Sequence, residues 1–357
     1  MTDLKTKLAE SLNLTVPAGH TAGVSAVAQK GAEPQAFWVP ESEEEPLFLA
    51  YSITKTLIAT LVLKLCEEGR LTLDDRLAKW FPHIAEADRI SLVHLLNHTA
   101  GIPDYGGILA YHDEVRRSPS EPWPFDRFAA ETFEKGLRFE PGYGWAYSNP
   151  GYMLLKGIVE KVTETTLRVL VSENITDPLG LRRTFVPESI EDLASLARGT
   201  SCALSPDSTP RDVRKYYHPG WVSHGVVASS PSEIARFLDG LFHGQLLSRR
   251  SLEQMTELIP VSAPAGDTVK EPPVRWGKPS YGLGLMGDPA SPWGLVVGHN
   301  GGGPCYSASA FHAIDLGGVS VCSMSAADEA FKPEDVVFRV FDHVAGLVPE
   351  GAAQPGR

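Results

Sequence analysis

This chain of 357 residues lacks the sequence features of membrane and secreted proteins. No stretch approaches the roughly 18 consecutive apolar residues that a membrane-spanning helix needs. The N-terminal residues MTDLKTKLAESLNL carry charges throughout and hold no apolar core of a secretory signal peptide. The sequence therefore predicts a cytoplasmic protein that has no membrane partner.

Cysteine is scarce, and its positions argue against several kinds of site. Cys66, Cys202, Cys305 and Cys322 lie far apart and form no C-x-x-C pair. This spacing gives no support to a zinc ribbon or to a thioredoxin-like redox site. Cys305 and Cys322 could face each other on neighbouring strands, but a reducing compartment would keep both as thiols. We expect all four cysteines to be structural.

Positive charge is also in the minority. The chain holds 32 Lys and Arg against 44 Asp and Glu, which gives a formal net charge of −12 at pH 7. Such a balance leaves no broad electrostatic attraction to nucleic acid, so we expect no nucleic-acid partner. The hydrophobic fraction of 43% argues against a wholly disordered or fibrous chain.

The motifs of several other enzyme classes are absent as well. The sequence has no G-x-S-x-G nucleophile elbow and no phosphate-binding P-loop. His94 and His98 are four residues apart on a predicted helix, yet no Glu follows His94 as it would in a zinc-binding H-E-x-x-H motif. We expect neither a cofactor nor a metal, and we interpret Asp104 in the next loop as a solvated turn residue.

The distribution of apolar residues predicts the main elements. Residues from about 52 to 68 are rich in Leu, Ile, Ala and Thr. Their apolar positions wrap nearly all the way round, which predicts a buried helix that ends at Gly69. From Tyr281 onward, short β-rich runs separated by Gly, Pro and Asn are typical of antiparallel strands.

Between these two parts the chain is helical and rich in loops. This order predicts an α/β (α+β) fold, in which an antiparallel sheet is flanked by helices and interrupted by an inserted all-helical domain. The predicted units are an α/β domain in residues 1–81 and 221–348, a helical domain in residues 82–220 and a flexible tail in residues 349–357.

A serine and a lysine at the start of the buried helix form the first candidate for chemistry. Ser52 and Lys55 are three residues apart, which places two helical side chains on one face about one turn apart. A serine hydroxyl is a poor nucleophile until a neighbour takes its proton, and a neutral lysine can do so. Burial and the positive end of a helix both lower the pKa of a lysine from about 10.4. Because this spacing is common by chance, an unreactive surface pair is the alternative.

Tyr147-Ser148-Asn149 is the second candidate. It lies in the turn-forming stretch PGYGWAYSNPGY, where irregular backbone can hold side chains outward. A tyrosine near an ammonium can relay a proton, and an asparagine offers a donor and an acceptor to an amide-like substrate. A Gly/Pro-rich loop that merely packs its aromatic residues is the alternative.

The third candidate is the stretch LVVGHNGGGPCYS, in which His299-Asn300-Gly301 leaves a predicted strand. The glycines at 301–303 lack a Cβ atom, so a substrate backbone can lie close to this edge. Exposed N–H groups at such an edge can hold a developing oxyanion. A second H-x-G, His218-Pro219-Gly220, follows no strand and is the weaker candidate.

Taken together and in this order, the three motifs resemble those of the serine penicillin-recognising hydrolases. The resemblance is to the branch of class C β-lactamases, DD-carboxypeptidases, D-aminopeptidases and related esterases. It runs from about residue 48 to 312 and implies a β-lactamase/penicillin-binding-like fold. The further stretches that carry it are EEGRLTLDD, LLNHTAGIP, EPGYGWAYSNPGY, GVVASSPSEIARF, YGLGL and GHNGGG.

The resemblance also implies a role for each candidate. Ser52 would be the acyl-accepting nucleophile, Lys55 its helical partner, and Tyr147 the general base and later the acid. The backbone N–H groups of Ser52 and Gly302 would form the oxyanion hole. The residues expected to bind the substrate are Asn149, His299, Asn300, Gly301 and Gly302.

The third motif departs from the pattern of many relatives, which have Lys at the position of His299 and usually Thr at that of Asn300. Loss of the lysine charge and of the hydroxyl disfavours substrates that carry a carboxylate. We therefore expect a serine hydrolase acting through an acyl-serine on small esters or (D-)peptides and amides. A β-lactamase or DD-carboxypeptidase is one alternative, and a non-catalytic binding protein on the same fold is another. The sequence does not indicate the oligomeric state.

Overall fold

The computed structural model describes residues 4–261, 275–328 and 330–347. The tail predicted for residues 349–357 lies outside them. The helices are α1 (Leu4–Asn13), α2 (Thr54–Glu67), α3 (Leu92–Leu96), α4 (Leu109–Arg117), α5 (Phe125–Glu131), α6 (Asn149–Thr163), α7 (Leu167–Val171), α8 (Asp177–Leu179), α9 (Val213–Tyr216), α10 (Pro231–Phe242), α11 (Arg249–Met255) and α12 (Pro333–Ala345). No helix within the described ranges is long and apolar enough to cross a membrane.

The strands are β1 (Thr21–Val27), β2 (Gln35–Val39), β3 (Phe48–Leu49), β4 (Thr200–Ser201), β5 (Arg211–Asp212), β6 (Ala228–Ser229), β7 (Ile259–Pro260), β8 (Ser280–Tyr281), β9 (Met286–Ser291), β10 (Gly294–Gly302), β11 (Tyr306–Ala313) and β12 (Val319–Ala326). Eight of them form one sheet in the order β2-β1-β12-β11-β10-β9-β8-β7. Every neighbouring pair in it is antiparallel.

The sheet combines strands from the two ends of the chain, because β1 lies between β2 and β12. Most of the helices belong to the part of the chain between β3 and β6. The predicted antiparallel sheet flanked by helices is therefore confirmed. The domain boundaries stay predictions, and residues 82–220 also contain one pair of two-residue strands, β4 and β5.

Different helices cover the two faces of the sheet. Helices α1 and α12 pack on one face, and α10 packs against β1 and β12 from the other. Successive strand residues point to opposite faces. Accordingly, Val296 of β10 belongs to the apolar cluster of α1 and α12, and Val297 belongs to the cluster that contains α2. This alternation decides which side chains of β10 can reach the start of α2.

Helix α2 is buried on nearly all sides, as its apolar pattern predicts. It ends at Glu67, with Glu68 as its C-cap, and the next residue, Gly69, has a φ of +70°. The N–H groups of Gly69 and Arg70 donate to the carbonyls of Cys66 and Leu65 at 3.0 and 2.9 Å. This pair of bonds satisfies the last carbonyls of the helix in a Schellman arrangement and requires the left-handed conformation at the glycine.

The cysteines are all free thiols. Cys322 lies opposite Ala310 in the neighbouring strand and not opposite Cys305. Burial raises the pKa of the Cys305 thiol to about 12, so this thiol is protonated at neutral pH.

Replacement of Gly69 by alanine tests the end of α2. A Cβ atom at this position meets no other atom within 4 Å, so the cost arises from the backbone conformation alone. We expect Gly69→Ala to lower the free energy of unfolding by about 1–2 kcal/mol, measured by urea denaturation with an unchanged m value. Gly69→Asn should lose less, because asparagine adopts the left-handed conformation more readily. Equal stability of all three proteins would contradict this account.

Candidate functional site

Three side chains from distant parts of the sequence meet at the start of α2. Ser52 lies just before α2, Lys55 lies in its first turn, and Tyr147 lies just before α6. The Tyr147 hydroxyl donates to Ser52 Oγ at 2.8 Å, and Lys55 Nζ lies 3.1 Å from the same oxygen. The structure thus brings together the serine, the lysine and the tyrosine of the first two motifs.

The backbone immediately before Ser52 is strained. Ser52 belongs to a single 3-10 turn over Tyr51–Ile53, and Tyr51 has a φ of +45°. This left-handed conformation costs a bulky residue about 1–2 kcal/mol. The Tyr51 hydroxyl donates to the Pro304 carbonyl at 2.8 Å, and Gly303 leaves room for the ring, since a Cβ there would lie 2.4 Å from a ring carbon. Such strain is typical of active sites, and the sequence motifs did not point to Tyr51.

Lys55 is fully buried, with 0% of its surface exposed. Burial lowers the pKa of Lys55 well below its ordinary value, and the negative charge of Asp104 opposes this to a smaller extent. Burial also raises the pKa of Tyr147, so that phenol is protonated at neutral pH. Desolvation therefore favours a neutral amine beside the Ser52 hydroxyl, and a neutral amine is the form that can accept a proton.

Asn149 and Asp104 hold the other side of the lysine. Asn149 Oδ1 accepts a hydrogen bond from Lys55 Nζ at 2.7 Å. Asp104 accepts from the backbone N–H of Asn149 at 2.8 Å and lies 3.4 Å from its Nδ2. The carboxylate thereby satisfies an N–H group that the first turn of α6 leaves unpaired. The prediction that Asp104 is a solvated turn residue is wrong, because its partner lies 45 residues away in sequence but beside it in space.

The segment LLNHTAGIP holds the tyrosine loop in place. The N–H of Ser148 donates to His98 Nδ1 at 3.2 Å, and the N–H of Ala146 donates to the His98 carbonyl at 3.0 Å. The rings of His98 and Tyr147 are 4.4 Å apart between centroids. His98 follows α3 with a φ of +63°, so it does not share a helix face with His94 as their spacing predicted.

His299 lies behind Tyr147, with 6.2 Å between the ring centroids. The Tyr281 hydroxyl is 2.9 Å from His299 Nε2, and His299 Nδ1 contacts the carbonyl of Asn300. Burial, and then the nearby charge of Lys55, lower the pKa of His299 to about 3. Both ring nitrogens are therefore engaged and the ring is neutral at physiological pH.

The side chain of Asn300 lies outside the site, so its predicted contact with substrate is wrong. Asn300 Nδ2 donates to Glu334 Oε1 of α12 at 2.6 Å. The reason is the alternation of strand side chains: Asn300 points to the same face as Val296, whereas His299 points to the face of α2. The sequence motif did not show on which side of the sheet the side chain of Asn300 lies.

Two glycines border the space in front of Ser52 in different ways. A Cβ atom on Gly301 would lie 2.2 Å from the carbonyl oxygen of Ala50 and 3.2 Å from the Ser52 nitrogen. This close approach of β10 to the serine turn requires glycine. At Gly302 a Cβ atom would meet nothing within 4 Å, and Gly302 lines the same cavity as Ser52.

A cavity of about 410 Å³ opens in front of Ser52. The predicted motifs contribute Ser52, Asn149 and Gly302 to its lining. The aromatic side chains in its wall are Tyr51, Tyr105, Tyr111 and Tyr217. The wall also contains the polar or charged side chains of His112, Arg116, His224 and Asp328. A cavity of this volume that combines aromatic and polar groups suits a small organic molecule.

Two other histidines differ from what the sequence indicated. His224, which no motif identified, is buried and has its Nε2 3.2 Å from Lys55 Nζ, although the two residues are 169 positions apart. The only signal in the sequence is its place directly before the stretch GVVASSPSEIARF. His218 of the rival H-x-G motif accepts a hydrogen bond from the N–H of Gly220 at 3.0 Å and does not line the cavity.

Comparison with known proteins shows the family to which the chain belongs. A family model described as Beta-lactamase matches residues 7–331. A penicillin-binding protein of Bacillus subtilis (strain 168) is 28% identical over 310 residues, which cover 84% of this chain and 64% of that protein. Esterase EstB of Burkholderia gladioli is 30% identical over 150 residues, which cover 39% of this chain and 38% of that protein. The chain thus spans less than two thirds of the length of these curated relatives.

A solved structure covers nearly the whole chain. The crystal structure of a D-stereospecific amidohydrolase from Streptomyces sp. superposes with a TM-score of 0.79 at 28% sequence identity. The superposition covers 93% of this chain and 97% of that chain.

The two glycines allow a test of how β10 frames the serine. A methyl group at 301 must displace either β10 or the Ser52 turn, whereas one at 302 enters open space. We expect Gly301→Ala to slow covalent labelling of Ser52 by a fluorophosphonate probe by roughly tenfold or more, because overpacking of this kind costs about 1–3 kcal/mol. Gly302→Ala should be labelled within about threefold of the unmodified rate and retain its melting temperature. Labelling is followed by mass spectrometry. Equal labelling rates of the two variants would contradict the close approach of Gly301 to the Ser52 turn.

Proposed function

Because the chain belongs to the beta-lactamase family, we propose that it is a serine hydrolase that acts through an acyl-serine intermediate on Ser52. The observation that carries this proposal is the contact of one serine oxygen with Lys55 Nζ at 3.1 Å and with the Tyr147 hydroxyl at 2.8 Å. A serine nucleophile needs a neighbour that takes its proton, and a buried amine in hydrogen-bond contact is such a neighbour.

Lys55 serves as the base in acylation and Tyr147 as the acid. While Ser52 Oγ bonds to the carbonyl carbon of the substrate, its proton passes to the neutral amine. The leaving oxygen or nitrogen takes the hydroxyl proton of Tyr147, and the ammonium of Lys55 then returns a proton to the phenolate, which restores both groups. The resemblance implied Tyr147 as the first base. Burial lowers the pKa of Lys55 and raises that of Tyr147, which supports the assignment made here.

Hydrolysis of the acyl-serine follows with water in place of the leaving group. The same lysine and tyrosine take the proton of the water and return one to Ser52 Oγ, which restores the free serine. The oxyanion formed in both steps is held by the backbone N–H groups of Ser52 and Gly302. The close approach of Gly301 to the Ser52 nitrogen and the place of Gly302 in the cavity wall support this assignment.

The substrate is a small ester or amide that has no carboxylate beside the scissile bond. The neutral ring of His299 offers no positive charge, and the amide of Asn300 faces α12 and not the cavity. One relative is named an esterase, and one solved structure is described as a D-stereospecific amidohydrolase. Both names support carbonyl substrates of this class, namely esters and D-amino acid amides or peptides.

A β-lactamase or DD-carboxypeptidase is the second candidate. A relative named as a penicillin-binding protein favours it, whereas the uncharged His299 counts against it. A non-catalytic binding protein on this fold is opposed by the complete contact set of Ser52, Lys55 and Tyr147. The cytoplasmic location stays a prediction.

A turnover panel separates these candidates. The protein and its Ser52→Ala variant are assayed with p-nitrophenyl esters, D- and L-amino acid anilides and nitrocefin. We expect ester turnover, preference for D-anilides over L-anilides, and nitrocefin turnover roughly 100-fold slower than ester turnover. Because Ser52 carries the acyl group, Ser52→Ala should lose roughly 1,000-fold or more in kcat.

Ser323→Ala is the matched control for that panel. Ser323 is buried on β12, and its hydroxyl has no hydrogen-bond partner among the residues that the structure describes. This variant should therefore keep full activity. Ester hydrolysis that survives in Ser52→Ala while Ser323→Ala behaves normally would refute the proposal, and nitrocefin turnover equal to ester turnover would favour the second candidate.

The pH dependence tests Lys55 as the base. Only the neutral amine accepts a proton, so kcat/KM for an ester should fall as the pH drops through the pKa of Lys55, which burial lowers. The charge of Asp104 raises that pKa, so Asp104→Asn should move the acid limb to lower pH. Asp126→Asn, at an exposed position of α5, should leave the limb in place. If the acid limb of the kcat/KM profile in Asp104→Asn moves to higher pH, or does not move, the result argues against Lys55 as the base.

A further inference from the structure

His224 is a buried histidine to which the proposed proton transfer gives no role. It is 1% exposed, and its Nε2 lies 3.2 Å from Lys55 Nζ. Its Nδ1 is also buried and has no hydrogen-bond partner among the described residues. A polar ring is costly to bury in this way, so a ring placed against the central amine calls for a functional explanation.

The position of His224 is fixed by the backbone around the serine. Strand β6, which follows His224, pairs with β3, which precedes Ser52. The N–H of Val227 donates to Thr54 Oγ1 at 2.9 Å, and the N–H of Ala50 donates to the Val227 carbonyl at 2.8 Å. Both the N–H and the carbonyl of Val227 thus bond to the segment that carries Ser52 and Lys55, which fixes the position of the nearby His224.

The hydrogen bonds of Lys55 can be counted in each protonation state. Its amine has three partners: Asn149 Oδ1 at 2.7 Å, Ser52 Oγ at 3.1 Å and His224 Nε2 at 3.2 Å. A neutral amine has two N–H donors and one lone pair, and the Asn149 oxygen can only accept. One donor therefore goes to Asn149, and the second donor and the lone pair are divided between Ser52 and His224.

The tautomer of His224 decides this division. With the proton on Nε2, the ring donates to the amine and occupies its lone pair, so that Ser52 cannot transfer a proton to it. With the proton on Nδ1, Nε2 accepts the second N–H and the lone pair is directed to the Ser52 hydroxyl. Only the second arrangement makes Lys55 a base for Ser52.

We propose that His224 is a positioning residue, which accepts a hydrogen bond from Lys55 through Nε2 and thereby directs the lone pair of the amine to Ser52. This inference rests on the proposed serine hydrolase function and adds a residue to it. His224 moves no proton to or from the substrate. It acts through the orientation of Lys55, and as an acceptor it also stabilises the ammonium that forms when Ser52 is deprotonated.

The charged and titratable groups around the pair come from several elements. Burial, and then the charge of Lys55, lower the pKa of His224 well below its ordinary value, so the ring stays neutral. The other groups that act on His224 or Lys55 are His98, Asp104, Tyr147, Tyr152, Lys156 and His299. Substitution of His224 leaves all of them in place.

The experiment compares His224→Leu with His224→Gln. Leucine fills much of the space without a polar atom, whereas the glutamine amide can accept from Lys55. We expect His224→Leu to lose roughly tenfold in kcat for a p-nitrophenyl ester, with KM changed by less than about twofold. Loss of an acceptor for the ammonium lowers the pKa of Lys55, so the acid limb of kcat/KM should move to lower pH. His224→Gln should stay within about threefold of the unmodified kcat and keep the original limb.

A buried histidine outside the site controls for packing. His312 is 3% exposed, stacks on Phe242 at 4.7 Å and hydrogen-bonds to Ser320 at 2.8 Å. His312→Leu should lower the melting temperature without a change in the pH profile. If His224→Leu is folded and Ser52-dependent but shows the original kcat and acid limb, or if His224→Gln loses as much as His224→Leu, the positioning role is refuted. Failure of the proposed function itself would instead appear as activity that does not depend on Ser52.

Discussion

Burial of the Lys55 amine is the constraint on which the site depends. An ammonium that is removed from water loses its hydration, so the neutral form is favoured, and only nearby acceptors and the Asp104 carboxylate offset this. Burial that makes the amine a base also requires a partner for each of its hydrogen-bonding positions. Ser52, Asn149 and His224 occupy these positions. The reactivity of the serine thus follows from how completely one neighbouring side chain is enclosed.

The enclosure is built mainly from backbone contacts between distant segments. The pairing of β3 with β6 sets His224 against the start of α2. The first turn of α6 is held by Asp104, and the loop before it is held by His98. The end of β10 closes the remaining side because Gly301 has no side chain to keep it away from the serine turn. Each support fixes a functional atom through main-chain hydrogen bonds or close approach, and these are more rigid than contacts between long side chains.

The polar groups around the serine are mostly neutral. Burial keeps the rings of His224 and His299 uncharged and Tyr147 protonated, so Asp104 is the acidic group that bears on the lysine. A site of this kind can transfer a proton among Ser52, the amine and the phenol, and the neutral ring of His299 adds no positive charge to it. The same burial therefore supports both the proton transfer and the preference for uncharged esters and amides.

The sequence by itself determined the elements and the motifs. The apolar pattern of α2, its end at Gly69 and the β-rich runs after Tyr281 depend on local periodicity and turn chemistry, which neighbouring residues encode. Spacing also identified Ser52 with Lys55. Only the tertiary structure decided what surrounds the lysine. Asp104, whose charge acts on Lys55, and His224, which contacts it, lie 49 and 169 residues further along the chain, and they are brought there by strand pairing and helix packing that no local pattern records. The face of β10 was likewise decided by packing: the pleat alternates side chains, and only the positions of α2 and α12 show that His299 points inward and Asn300 outward.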